Sequence, residues 1–144
     1  MSMAMSIEER EAFLAEARVG AVAVADDADR GPLLVPVWYH YQPGGEVTLL
    51  TARKSRKAKL IRRAGRFSLC AQATQPPYKY VTVEGPVTSI QESVTVEERR
   101  ALARRYLGPA GGDAYVQSTV AVTPDIIAIR MLPGRWLAVD QGQA

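Results

Sequence analysis

Residues 51–63 read TARKSRKAKLIRR and combine a strand end, a helix start and a dense group of cations. Thr51 closes a run with strand character, and Ser55 is a residue type favoured at the N-cap of a helix. Arg56 and Lys57 then fall in the first helical turn, where helices more often carry acids. The segment predicts a strand-to-helix junction whose charge suits a negatively charged ligand.

Positive charge is concentrated in this part of the chain. Between residues 53 and 66, eight of fourteen residues are basic and none is acidic. The whole chain has 18 Lys and Arg against 15 Asp and Glu. Without those eight cations it has 10 basic and 15 acidic residues, a net charge of −5 (10 − 15). One compact patch favours a compact anion over a polymer that runs along a whole face.

Length and composition indicate a single domain spanning residues 1–144. Hydrophobic residues make up 47% and charged residues 23%, as in ordinary globular proteins. The longest apolar run, residues 19–25, is too short to span a bilayer, and the first residues show no secretory pattern. Cys70 is the single cysteine, so no intramolecular disulfide can form. We expect a cytoplasmic location and a structural role for this thiol.

Short β-branched runs alternate with turn signals along most of the chain. Strands are predicted at residues 19–25, 33–41, 46–51, 66–73, 78–90, 126–132 and 136–139. Helices are predicted at residues 6–18, 55–65 and 94–107, with a short helical turn at 113–120. Hairpin signals, such as the one at residues 42–45, favour antiparallel pairing. The expected fold is mainly β (α+β), a six- to seven-stranded antiparallel barrel with peripheral helices.

The helix that follows Ser55 is a candidate anion site. A helix N-terminus presents free backbone N–H groups and a partial positive charge, and it binds phosphate well. Arg56 and Lys57 raise the local electrostatic cost, which a bound anion would offset, and Thr51 adds a hydroxyl. Arg56, Lys59 and Arg63 share one helical face, which leaves room for a longer anionic tail.

The basic segment allows other interpretations. It can be a solvated helix face, and this alternative stays open. A nucleic-acid partner is not expected, because the patch has no interleaved aromatic residues and no recognised binding signature. A membrane partner is not expected either. A metal site is not expected, because His40 is the single histidine and no His/Cys cluster exists.

Residues 36–41 read PVWYHY, and period-two alternation divides them between two faces. Val37, Tyr39 and Tyr41 share one face, and Pro36, Trp38 and His40 share the other. Trp38 can contact a planar ligand, or it can be a core or dimer-interface residue. His40 is expected to be structural.

The order of these features resembles the split β-barrel of the pyridoxamine phosphate oxidase-like flavin-binding proteins. The resemblance covers about residues 7–139 and is carried by PVWY at 36–39, a hairpin, Thr51, SRK at 55–57, the strand at 66–69 and YVTVEG at 80–85. The chain is most similar to the actinobacterial flavin/deazaflavin oxidoreductases. These are small homodimers, and many use the deazaflavin coenzyme F420, so the resemblance implies a homodimer.

The resemblance also implies a cofactor site. In the family the SRK residues hold the cofactor phosphate and the backbone of 36–38 lines the flavin ring. The implied site consists of Pro36, Val37, Trp38, Thr51, Ser55, Arg56, Lys57, Lys59, Gln72, Tyr78 and Trp136, the last reaching from the second subunit. Tyr80 is an alternative to Tyr78 as a ring contact or proton donor.

Two details bear on which cofactor and which substrate are used. The F420 tail is a long polyanion, which the surplus cations Lys54, Lys59, Arg62 and Arg63 suit. The C-terminal residues 135–141 lack the Arg/His substrate motif of true pyridoxamine phosphate oxidases, so vitamin B6 oxidation is not expected.

The implied activity is an F420H2-dependent reductase that transfers a hydride to a small electron-poor acceptor, such as an enone, a quinone or a tetrapyrrole-like compound. One alternative is an FMN-dependent oxidoreductase on the same fold. Another is a protein that binds a flavin, F420 or a tetrapyrrole without catalysis.

Overall fold

The structure, a computed structural model, describes residues 3–143. Its helices are α1 (Ile7–Ala15), α2 (Arg56–Ala64) and α3 (Val96–Thr119). Its strands are β1 (Gly20–Val24), β2 (Leu33–Val37), β3 (Val47–Ala52), β4 (Arg66–Gln72), β5 (Lys79–Gln91), β6 (Ile126–Met131) and β7 (Arg135–Asp140). A short 3-10 turn, Gln141–Gln143, follows β7. None of the helices within residues 3–143 is both long and apolar enough to cross a bilayer.

The strands form one antiparallel sheet in the order β2-β1-β4-β5-β6-β3, and β7 pairs with β5. β5 joins the two halves, because its first part pairs with β4 and β7 and its last part pairs with β6. The register of the β5–β6 pair shifts between Val87 and Ser89. Beyond β2, His40 and Thr48 exchange two backbone hydrogen bonds of 3.0 and 2.9 Å. The chain that continues β2 therefore meets β3, and the sheet closes. The predicted antiparallel split barrel is confirmed.

Alternating side chains of these strands fill the barrel. Val37, Tyr39 and Tyr41 are buried as the alternation predicts, whereas His40 is exposed. α1 adds Phe13 to the same core. The other fully buried members of the core include Leu14, Val22, Leu49, Ile61, Leu69, Val81, Val83, Ile127, Ile129 and Met131.

β5 passes very close to the turn between β6 and β7. A Cβ added to Gly85 would lie 1.8 Å from the carbonyl oxygen of Leu132. On either side of this point, Leu132 donates to the Pro86 carbonyl (3.0 Å) and Gly134 donates to the Glu84 carbonyl (2.8 Å). Only glycine lets the two backbones approach this closely.

The largest departures from the predicted boundaries are those of β2 and α3. β2 ends at Val37 and not at residue 41, because the backbone of Tyr39 bonds to α3. Its N–H donates to the Tyr106 hydroxyl (3.0 Å), and its carbonyl accepts from Arg105 (3.1 Å). α3 runs to Thr119 in place of a helix and a separate turn.

α3 consists of two arms, which meet at Gly108. Gly108 has φ 76° and ψ 174°, a conformation almost confined to glycine. Pro109 opens the second arm, where its missing N–H costs little. Asp113 of the second arm accepts from Arg104 of the first through two hydrogen bonds of 2.8 Å. The arms are thereby held together.

Candidate functional site

The junction between β3 and α2 is built as the sequence predicts. Ser55 is the N-cap of α2, and its hydroxyl accepts from the Ala58 N–H at 3.1 Å. The Thr51 hydroxyl lies 3.2 Å from the Ser55 hydroxyl. Gly65 ends the helix with φ 71°, in the left-handed region. The two hydroxyls and the helix start thus form one polar corner.

The first turn of α2 retains unsatisfied donors. The backbone N–H groups of Arg56 and Lys57 have no acceptor among residues 3–143, whereas the N–H groups of Ala58 and Lys59 are bonded to Ser55. Such free N–H groups at a helix start are what a phosphate accepts from. The donor set of this corner therefore fits a phosphate group.

A cavity of about 420 Å³ opens beside this corner. We call it the Trp38 cavity. Its floor is formed by residues 36–38 and its α2 side by Lys57 together with Leu50 and Ile126. The opposite wall belongs to α3 and the residues after it, namely Arg99, Leu102, Ala103, Tyr115, Thr119 and Thr123. Pro36, Val37, Trp38 and Lys57 are thus brought together in one cavity.

Lys57 is the cation of the basic segment that faces this cavity. Its side chain is half-buried, and burial lowers the pKa of its ammonium group from the usual 10.5. It has no carboxylate partner among residues 3–143. An ammonium group removed from water without a counterion favours any anion that enters the cavity.

Trp38 is fixed by aromatic neighbours on α3. It stacks on Tyr106 with ring centroids 5.0 Å apart and planes 6° apart, and Tyr115 lies at 5.0 Å with a tilt of 51°. The Tyr106 hydroxyl in turn donates to the Arg18 carbonyl at 2.8 Å. Trp38 therefore contributes a rigid flat surface to the cavity.

Four of the eight cations in the basic segment form ion pairs with acids from distant parts of the chain. Arg56 pairs with Asp26, and Arg63 pairs with Asp27 at 2.9 Å. Arg53 (3.0 Å) and Arg62 both pair with Glu92. The cations of the basic segment that have no ion pair with any of residues 3–143 are Lys54, Lys57, Lys59 and Arg66. The positive track expected along Arg56, Lys59 and Arg63 is thus interrupted by Asp26 and Asp27.

A second cavity of about 560 Å³ adjoins the first and shares Val19 and Pro36 with it. Gln72 and Cys70 line it on the outer face of the sheet. Gln72 is therefore close to the predicted site without facing the Trp38 cavity.

Three of the predicted site residues lie outside the polar corner and line neither cavity. Tyr78 is 52% exposed in the loop before β5 and lines neither cavity. Trp136 packs edge-on against Tyr41, with ring centroids 6.1 Å apart, and beneath the Arg10 guanidinium at 4.5 Å. Lys59 is exposed on α2. Trp136 and Lys59 remain predictions, which need a second subunit and an anionic tail respectively.

The α3 wall, above all Arg99 and Tyr115, was not predicted from the sequence. These residues reach the cavity because α3 packs over residues 36–38, and no local sequence pattern indicates that packing. No group of His, Cys, Asp and Glu within residues 3–143 is arranged to hold a metal ion.

The sequence model of the pyridoxamine 5'-phosphate oxidase family matches residues 6–131. The chain belongs to this family. Among proteins with curated functions, none matches the chain. Membership in the pyridoxamine 5'-phosphate oxidase family supports an oxidoreductase activity for the chain.

Solved structures share the barrel. Rv2991, a conserved hypothetical protein of Mycobacterium tuberculosis, has a TM-score of 0.76 at 25% identity, over 97% of this chain and 88% of its own. An F420 reductase has a TM-score of 0.70 at 21% identity, over 88% of this chain and 94% of the reductase. An FAD-binding protein of Mesorhizobium loti has a TM-score of 0.59 at 17% identity, over 93% of this chain and 92% of its own. At this low identity, the last two matches show a shared fold and nothing more.

Proposed function

We propose that the chain is an F420H2-dependent reductase of small electron-poor acceptors. One observation carries the proposal. Lys57 is a half-buried ammonium group without a counterion among residues 3–143, and it lies at a helix start beside a cavity with a fixed tryptophan. This combination of a phosphate site and a flat apolar surface suits a flavin-type cofactor.

The chain's own residues have distinct roles in this proposal. Lys57, the Ser55 and Thr51 hydroxyls and the free N–H groups of α2 would bind the phosphate. Trp38 and the adjoining backbone would orient the ring, and the α3 wall would exclude water. When bound, the reduced cofactor supplies a hydride, and the acceptor takes the accompanying proton from solvent. The electron balance is complete with these two partners.

The tail of F420 distinguishes it from smaller flavins. Lys54 and Lys59 are exposed on either side of Lys57 in sequence and have no ion pair among residues 3–143. They are available to the lactyl and glutamyl acids of the tail. An F420 reductase among the solved structures shares the fold and supports this choice.

FMN is the second candidate, and a specific observation favours it. Because Arg56, Arg62 and Arg63 are already paired with acids, the cations that remain are enough for a single phosphate. An FMN-dependent oxidoreductase would use the same corner and the same Trp38 cavity.

We also propose that the working unit is a homodimer formed through the outer face of the sheet. The register places Pro36, Ala21, Cys70, Thr82 and Leu137 in one row across five strands. This row carries no charge and is mostly apolar, and Leu137 is 56% exposed. The second cavity opens on the same face, so a second copy would enclose the site that Gln72 borders.

The proposal is tested by titrating the protein with F420 and with FMN, following ligand fluorescence. Tight F420 binding and weak FMN binding are expected. Lys57→Gln should weaken F420 about tenfold or more, because a charge-assisted contact is lost. Arg66→Gln, which removes an exposed and unpaired arginine, is the matched control and should leave the affinity within about twofold.

Turnover is then measured by mixing reduced F420 with a quinone and with an enone. Tight FMN binding with weak F420 binding would favour the FMN-dependent oxidoreductase. Tight F420 binding without turnover of either acceptor would favour a binding protein. If neither cofactor binds, or if Lys57→Gln binds as the wild type does, the proposed site is wrong.

A further inference from the structure

The α3 wall of the Trp38 cavity carries a cation that the proposed cofactor site does not use. Arg99 lies in the first arm of α3, is half-buried, and has no ion pair or side-chain hydrogen bond within residues 3–143. Its neighbours differ. Arg100 pairs with Glu97 and with Asp113, and Arg104 also pairs with Asp113. Glu97 and Asp113 are thus engaged by other arginines, and Glu98 accepts from Gln91, so Arg99 lines the cavity without an acid partner among residues 3–143.

The Trp38 cavity holds two cations and no carboxylate among its described lining residues. Lys57 belongs to the first turn of α2 and Arg99 to α3, on the opposite wall. Because the two cations come from different helices, each offers its own anion-binding position.

The surface next to Arg99 suits a flat apolar body. Trp38 is held parallel to Tyr106, and Tyr115 leans against it at 51°. Thr119 and Thr123 add hydroxyl groups to the same wall. An arginine beside an aromatic surface is suited to the acid group of a planar molecule.

We propose that Arg99 binds the acid group of an anionic, planar acceptor substrate, whose apolar part packs on the α3 side of the cavity, against Tyr115 and Leu102. Arg99 is thus a specificity-determining residue for acceptors that carry a carboxylate or a comparable acid. This inference rests on the proposed function, since it takes Lys57 as the cofactor position and leaves Arg99 to the acceptor.

A pair of fluorescent probes tests the inference without turnover. 8-Anilino-1-naphthalenesulfonate and N-phenyl-1-naphthylamine share one ring skeleton, and only the first carries an acid group. Each probe is titrated into the wild type, Arg99→Gln, Arg99→Lys and the control Arg66→Gln. Circular dichroism and thermal unfolding verify that the variants are folded.

For Arg99→Gln we expect about tenfold weaker binding of the sulfonate and binding of the neutral probe within about twofold of the wild type. Arg99→Lys should recover most of the sulfonate affinity, and Arg66→Gln should match the wild type. The inference is overturned if Arg99→Gln weakens both probes equally or neither, if Arg66→Gln weakens the sulfonate as much, or if the wild type does not bind the sulfonate.

An F420 titration separates this inference from the proposed function. Arg99→Gln should bind F420 as the wild type does, whereas Lys57→Gln should not. If Arg99→Gln loses F420 as well, Arg99 belongs to the cofactor site and the inference fails. If the wild type does not bind F420, the proposed function fails, and the probe pair still decides whether Arg99 selects acids.

Discussion

The ammonium group of Lys57 is half-buried in a wall that offers it no carboxylate among residues 3–143. A charge in this position is stabilised less than in water, and the lowered pKa of Lys57 expresses the same fact. Residues of this kind commonly reduce the stability of a fold while serving a ligand. Removing the charge of Lys57 should therefore raise the stability of the fold and weaken the binding of an anion.

Replacing Lys57 by Met should raise the free energy of unfolding by about 0.5–1 kcal/mol at pH 7, while cofactor affinity is lost. The wild-type pKa is lower in the folded than in the unfolded chain, so the folded state binds fewer protons just below pH 10.5. Wild-type stability therefore rises relative to the variant as the pH increases through the folded pKa. Urea unfolding at pH 7 and pH 10 measures both differences.

Lys59→Met is the matched stability control, since Lys59 is exposed on the same helix. Its unfolding free energy should stay within about 0.5 kcal/mol of the wild type. A Lys57→Met variant that is less stable than the wild type at pH 7 would contradict the desolvation argument.

Single residues differ in how far the sequence predicts them. The cap at Ser55 and the alternation of Val37 and Tyr39 follow from local chemistry, and the structure confirms them. The carboxylates that pair with the basic segment could not be predicted, because Asp26 and Glu92 lie 30 residues from Arg56 and Arg62 in sequence. Ion pairs over such separations depend on the tertiary fold.

At the scale of elements, the two arms of α3 depend on close contact near their junction. A Cβ added to Gly112 would lie 2.6 Å from the backbone nitrogen of Arg104, so the arms could not keep their separation. At the neighbouring Gly111, the added Cβ would lie 3.1 Å from the Cβ of Leu107, a contact that a small shift relieves. The two glycines form a matched pair.

We expect Gly112→Ala to lower the free energy of unfolding by about 1–3 kcal/mol, because the backbone of Arg104 has to move. Gly111→Ala should change it by less than about 1 kcal/mol, since better helix propensity compensates the tight contact. Chemical denaturation of both variants measures the difference. Equal stability of the two would show that the arms are not in close contact.

The sequence predicts α3 only in part. Its start at Thr95 and its interruption at Gly108 follow from capping and glycine signals. The second arm was predicted as a short turn at residues 113–120, because the segment GPAGG has the composition of a loop. Pro109 in fact opens a new helical arm, and packing against the first arm outweighs the weak local propensity.

At the scale of the whole molecule, the outer face of the sheet is the surface that a second copy would cover. A stable dimer buries about 800 Å² on each partner. Leu137 lies in the apolar row on this face and is 56% exposed, so an acidic residue there does not disturb the core.

Leu137→Asp should convert a wild-type dimer to a monomer, because each interface would then bury two uncompensated charges. Leu132→Asp is the control, since Leu132 is 48% exposed in the turn between β6 and β7 and lies outside the row. Size-exclusion chromatography with light scattering measures the mass. A monomeric wild type, or a dimeric Leu137→Asp variant, would contradict the proposed interface.

The overall barrel was predictable from strand spacing, turn signals and the family resemblance, but its closure was not. The bridge between His40 and Thr48 and the pairing of β5 with three strands join segments that carry no local signal of their partners. The position of α3 over residues 36–38 has the same origin, and with it the cavity wall that contains Arg99.

The ion pairs around α2 affect how an anion reaches the protein as well as how it is held. Eight cations of the basic segment face three carboxylates, so the local net charge is +5 (8 − 3). At physiological salt the field of exposed charges fades within about 8 Å, which limits long-range attraction. The desolvated Lys57 acts at contact and is screened much less. The segment should therefore influence the dissociation rate of an anion inside the cavity more than its rate of encounter.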